Sequence, residues 1–303
     1  MRDVSALRAS LSRSSGVRAD RLAKLITEFQ SFCREELGNN FESWENDDDA
    51  ESVAKAAAEF GIHLFAEGRG KSDLVELLNG LWHRRESWRK RLSSAWYVVT
   101  RWGILEPTIH RKPLPLDAFR ACVSWALLFG HLKFAASLLV CFSAGLRPGE
   151  LFRLTGDCIK FVSQGIFVVL KSSKTSTRGI GTIQSVLITD ERVCLFLRTN
   201  TVVLRSETVL CSEIAFRRLW NQMSVTLGLG HFTAGSLRAG MATHLRLRGV
   251  SLENIRWQLR HKNQATLESY IQSLAACNIS EHGLLPIVFR LSKAFPTLMR
   301  NHS

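Results

Sequence analysis

Apolar residues recur every three to four positions through "ADRLAKLITEFQSFCREEL", "DAESVAKAAAEFGIHLFAEG", "KSDLVELLNGLWHRRES" and "WRKRLSSAWYVVTRWG", and each stretch closes near a glycine or a charge cluster. That spacing puts one apolar stripe on each of four or five helices and predicts a bundle over residues 1–112. Asp49 stands where it can cap the second helix, and the acidic run "ENDDDAE" reads as a solvated loop leading into it. Trp88, Trp96 and Trp102 fit packing between helices, whereas "RKR" at 89–91 suits a solvated face and a phosphate contact equally well.

Two of the six prolines fall in "RKPLPLDAF", residues 111–119. Each restricts the residue before it, so Lys112 and Leu114 are pushed out of the helical region, which predicts a linker and a domain boundary between 112 and 113. Beyond it, Asp117 can cap a helix running to Gly130, and a second helix follows from His131 to Ser143. The strongly β-like stretch is "GIFVVLKSSKTSTRGIGTIQSVLITD", with strands expected at 166–171 and 184–189 around a Ser/Thr/Gly/Lys-rich turn. Helical periodicity returns after Ser212. Ser236 reads as the N-cap of a helix with Leu237, Met241 and Leu245 on one face, ending at Gly249, and Ser251 opens another that ends near Arg260 and His261. The predicted fold class is mainly α with a small β-sheet, divided into a helical domain at 1–112 and an α+β domain at 113–303.

Composition narrows the classes of function. A chain of 303 residues with 46% hydrophobic and 22% charged residues is globular in type. Arg120, His131 and Lys133 interrupt the longest apolar stretch, so no membrane span is expected, and the N-terminus lacks a secretory pattern, which gives an intracellular expectation. Seven scattered cysteines with no C-x-x-C pair read as reduced core residues, not as zinc ligands or disulfides. The net charge of +13 favours a polyanionic partner. Residues 1–112 carry 18 basic against 17 acidic residues, so nearly all of that excess belongs to 113–303.

Within the basic half, Arg238 is expected in the first turn of the helix after Ser236, where free N–H groups favour an anion. In "SAGLRPGELFRLTGDCI", Pro148 suits a first helical position, which places Arg147 at a helix start with Glu150 one turn away. Two such arginines can clamp one phosphate, since each guanidinium offers paired donors. Lys174, in the hairpin turn, is a flexible ammonium able to reach the same anion. Taken singly, each of these residues has a plain structural reading: a cap, a turn lysine, a packed tyrosine.

Taken in order, they resemble the tyrosine recombinase (phage-integrase) superfamily, whose pattern is an Arg in "LRxxEL", a Lys in a β-hairpin, "HxxR", and a His or Trp nine residues before a nucleophilic Tyr. The chain has "LRPGEL" with Arg147 and Glu150, "SKT" with Lys174, "GSLR" with Arg238, and "HKNQATLESY" with His261 and Tyr270, all within 145–272. The resemblance implies a helical core-binding (SAM-like) domain followed by a DNA breaking-rejoining catalytic domain. It also implies double-stranded DNA as partner, a homo-oligomer (a tetramer) on DNA, and no cofactor or metal. By the same resemblance Tyr270 attacks the scissile phosphate, Arg147 and Arg238 stabilise the developing charge, Lys174 protonates the leaving oxygen, His261 hydrogen-bonds the phosphate and Glu150 orients its neighbours. The wording "SLRAG" and "PLPLDAF" is most similar to eukaryotic mobile-element recombinases, which implies a nuclear address. One position departs from the pattern: Gly235 stands where the "HxxR" histidine belongs, and loss of a positioned acid/base group costs on the order of 10²–10⁴ in rate. Three rival expectations accompany the recombinase: a DNA-binding remnant that no longer cleaves, a type IB topoisomerase-like enzyme, and a helical scaffold whose basic face meets RNA or acidic protein.

Overall fold

The structure, a computed structural model, describes residues 16–107, 112–170, 184–200, 210–260, 271 and 284–302. It is mainly α-helical with one small antiparallel sheet, and the chain divides into two compact units, Met1–Ile109 and His110–Ser303.

In the first unit, α1 (Gly16–Glu35), α2 (Phe41–Asn46), α3 (Ala50–Ala66), α4 (Lys71–Arg84) and α5 (Ser93–Leu105) enclose a core of their own. Small residues let α3 lie close to its neighbours: Ala54, Ala57 and Gly61 share its buried side with Phe60 and Leu64. As expected, the Asp49 carboxylate caps α3 by accepting from the Ser52 N–H at 3.1 Å. The acidic run stays largely exposed, as its charge suggests, but Asp48 within it is tied to the helical core. Trp88 is fully buried and its indole N–H needs an acceptor, which Asp48 supplies at 2.7 Å while also accepting from the Ser87 hydroxyl at 2.8 Å and pairing with Arg91 at 3.2 Å. Arg89 meanwhile lies 4.4 Å from the Trp82 ring centroid, so two of the three "RKR" cations have partners inside the unit. Trp102 is buried and Trp96 packs against the same core, as their spacing predicts.

The second unit is built on α6 (Leu116–Leu128) and α7 (Leu132–Ser143), whose long apolar runs are buried almost throughout. After a single turn, α8 (Pro148–Leu151), come β1 (Ile159–Val162), β2 (Gly165–Leu170) and β3 (Gln184–Ile188) in the order β1-β2-β3, with Val168 paired to Ile159 on one side and Val186 on the other. Then follow α9 (Glu191–Thr199), α10 (Glu213–Leu227), α11 (Ala234–Leu247), α12 (Leu252–Leu259) and α13 (Pro286–Asn301), the last lying along α6. β2 and β3 match the expected strands to within a residue or so, and Ser212 and Ser251 cap α10 and α12 as read. β1 was not expected. Two helix starts also shift. α6 begins at Leu116, and Asp117, instead of capping it, accepts the Ser292 hydroxyl of α13 at 2.6 Å. α11 begins at Ala234 with Thr233 as N-cap, and Ser236 serves it from the third helical position, its hydroxyl accepting the Thr233 N–H at 3.1 Å.

The proline-bearing segment before α6 is docked, not free. Leu114 is buried and its N–H donates to the Ser236 carbonyl at 3.0 Å, and a Cβ added to Gly240 would stand 2.2 Å from the Leu114 carbonyl oxygen. Only the absence of a side chain at 240 allows main chain to lie so close to a helix. Gly240→Ala is therefore expected to destabilise the protein by about 1–3 kcal/mol despite alanine's better helix propensity. Urea unfolding checks this, and an unchanged or raised midpoint would contradict the close docking.

Candidate active site

The centre of the site is the turn that ends α7. Gly145 takes the left-handed conformation with φ +56°, where a Cβ would lie 2.4 Å from Leu259 Cδ2, and the Leu146 N–H closes the turn on the Cys141 carbonyl at 2.9 Å. The chain then enters α8 with Arg147 at the N-cap and Pro148 at the first helical position, as its sequence predicts. Glu150, 4% exposed, folds back onto that start: its carboxylate accepts the Arg147 N–H at 2.9 Å and the Arg147 Nη1 at 2.7 Å. The same carboxylate accepts from Arg260 Nη2 at 2.8 Å, and Arg260 also donates to the carbonyls of Ala144 at 3.3 Å and Gly145 at 3.4 Å. From α11, Arg238 donates to the carbonyls of Gly145 and Leu259.

Four charged side chains from three separate stretches of the sequence thus meet around one turn. Of the predicted site residues, Arg147, Glu150 and Arg238 are brought together. Lys174, His261 and Tyr270 lie outside the described residues. Arg238 differs from expectation in one respect: because Thr233 caps α11, it stands in the second turn and its guanidinium turns inward to carbonyls, 7% exposed, not to the helix N-terminus. Arg147, with 31% of its side chain exposed, is the more open of the two. Arg260 was not singled out from the sequence as part of the site; a basic residue just past a helix end is too common to mark it.

Electrostatics favour the charged state of Glu150. Burial pushes the Glu150 carboxyl up, but the Arg260 charge, the Arg147 N–H and the Arg147 guanidinium together outweigh it and hold the group below the ordinary carboxylate range. Cys141, beneath the turn, has its thiol pushed up to about 12 by burial and by Glu150, against the opposing pull of Arg238 and Arg260, so it is no nucleophile at neutral pH. Gly235, the second residue of α11, lines a cavity of about 480 Å³ together with Pro148, Phe152, Phe216, Trp220 and Thr233. His231 and His244 do not line it; His244 faces a different cavity, where burial and then Arg248 and Arg120 lower its pKa. Among the described residues no group of three His, Cys, Asp or Glu side chains could hold a metal, the cysteines are free and buried, and no helix is long and apolar enough to cross a membrane.

Residues 130–276, just under half of the chain, match the phage integrase family. The match covers Arg147, Lys174, Gly235, Arg238, His261 and Tyr270, and it supports a tyrosine recombinase relationship for this stretch. No curated protein matches the chain in sequence. Among solved structures, similarity extends to a Tn1549 transposon integrase fragment in complex with circular intermediate DNA, at 13% identity over 86% of this chain and 99% of that one, with a TM-score of 0.48. It extends also to the XerA recombinase, at 15% identity over 92% and 96% with a TM-score of 0.43. A lambda integrase dimer bound to a COC′ core site is similar at 14% identity over 88% and 85%, with a TM-score of 0.43.

Removing the shared carboxylate leaves two guanidinium groups facing each other in a buried place. Glu150→Gln is expected to lower stability by about 3–5 kcal/mol, read from urea unfolding at neutral pH. Because the folded pKa of Glu150 is depressed, its contribution is full above the unfolded carboxylate value of about 4.3 and is lost as pH falls through the lower folded value. The stability difference between the native protein and Glu150→Gln should therefore shrink only in that acid window, and a difference that shrinks between about pH 6 and 8 would contradict the assignment.

Proposed function

We propose that the protein is a site-specific recombinase that cuts and rejoins double-stranded DNA through a 3′-phosphotyrosine intermediate. The observation that carries the reading is the convergence of Arg147 and Arg238 on the Gly145 turn, with Glu150 between Arg147 and Arg260, inside the stretch that matches the phage integrase family. The Tyr270 phenol gives up its proton to water as its oxygen attacks the scissile phosphorus, the bond to the 5′ oxygen breaks, and Lys174 gives that oxygen its proton. Arg147, Arg238 and His261 stabilise the charge on the non-bridging oxygens, and Glu150 orients the guanidinium groups. The phosphotyrosine conserves the bond energy, so religation runs the same steps in reverse without cofactor or metal. In this reading the helical unit is a core-binding domain, the protomers assemble as a tetramer on DNA, and the chain is a eukaryotic mobile-element enzyme acting in the nucleus.

Gly235 specifically favours one second reading, a DNA-binding remnant that no longer cleaves. Covalent trapping on a pool of nicked duplexes separates the two. The recombinase gives a detergent-stable protein–DNA adduct that Tyr270→Phe abolishes, whereas the remnant gives salt-sensitive binding and no adduct. Gly235→His places an imidazole beside the cavity at the start of α11 and is expected to raise the adduct rate by on the order of 10²-fold. Supercoil relaxation by monomers without recombinant products would point instead to a type IB topoisomerase-like enzyme.

A further inference from the structure

Resting on the strand-transfer reading, we propose that Arg260 is a positioning residue of that site: its ion pair with Glu150 fixes the point from which the chain departs toward His261 and Tyr270, and prevents Glu150 from neutralising Arg147 alone.

Three observations carry this. The first is conformational. Arg260 caps α12 in the left-handed region, φ +55° and ψ 40°, where only Asp48 joins it among the described non-glycine residues. A side chain there is strained, and glycine is the residue helix ends ordinarily use for it. Arginine in that place is held by what its side chain does. The second is connectivity. The guanidinium reaches Glu150 at 2.8 Å, Ala144 at 3.3 Å and Gly145 at 3.4 Å, so one side chain ties the end of α12 to the turn and to α8. Burial of both partners, 6% and 3% side-chain exposure, makes this a pair that water does not screen. His261 is the next residue in the sequence.

The third is charge. Glu150 divides its two oxygens between Arg147 and Arg260. With both arginines present the trio carries one net positive charge beside the half-exposed Arg147; without Arg260 the carboxylate would cancel Arg147 and leave the phosphate facing a neutral pair.

The test uses the full chain with Arg260→Gly, Arg260→Lys and Arg147→Lys. Arg260→Gly suits the left-handed backbone better than arginine, so it removes the side chain without imposing strain; urea unfolding verifies that the variant is folded. On nicked duplex DNA it should slow adduct formation by about 100-fold while duplex affinity falls by only about tenfold, and Arg260→Lys should recover part of the rate. A native rate in Arg260→Gly would reduce Arg260 to a helix cap and overturn the proposal. If the native protein itself yields no adduct, the strand-transfer reading fails, and the positioning role is then decided by duplex affinity. Arg147→Lys and Arg260→Gly should be non-additive there by at least about fivefold, and additive effects would overturn it.

Discussion

One carboxylate shared between two guanidinium groups holds the second unit's site in its present form. Glu150 is buried, and an unpaired carboxylate in such a place costs several kcal/mol. Folding must therefore deliver Arg147 and Arg260 to it together. That requirement matters because α8 is a single turn, too short to be stable alone. Arg238 completes the arrangement by taking carbonyls from both sides, Gly145 and Leu259, so that α11 lies between the two elements that the carboxylate joins.

The same bonds explain why the cluster remains cationic in spite of its burial. Arg147 and Arg260 share one glutamate, and Arg260 also donates to carbonyl oxygens, which satisfy donors without cancelling charge. A net positive site attached to a basic half of the chain suits a phosphodiester, and the buried ends of the guanidinium groups are oriented before any ligand arrives.

The sequence made the scaffold legible where a local rule decides the outcome. Ser212, Ser251 and Asp49 cap helices because each hydroxyl or carboxylate needs only the next turn, and the two longer strands follow from continuous apolar runs. It misled where a distant partner decides. Asp48 looks unattached until Trp88 is known to need its oxygen, and Asp117 looks like a cap until Ser292 approaches. Ser236 and Thr233 both have capping chemistry, and the choice between them moved Arg238 from the first turn to the second. Arg147, Glu150 and Arg238 could be found through an ordered motif. Arg260 could not, because its role depends on a left-handed backbone and on a carboxylate far away in the chain. Lys174, His261 and Tyr270 rest on the motif alone.

The contact between Leu114 and Gly240 is lopsided in what it demands of each residue. On one side the interaction uses a carbonyl and an amide, groups that almost every amino acid supplies; on the other it requires a hydrogen atom where any other residue has carbon. Over evolutionary time position 240 is thus closed to substitution unless the strand-like segment is released from the helix, whereas position 114 can drift among apolar residues that fill the same space. A bare position facing a main-chain strand is accordingly a better landmark for aligning distant relatives than the prolines that first draw the eye.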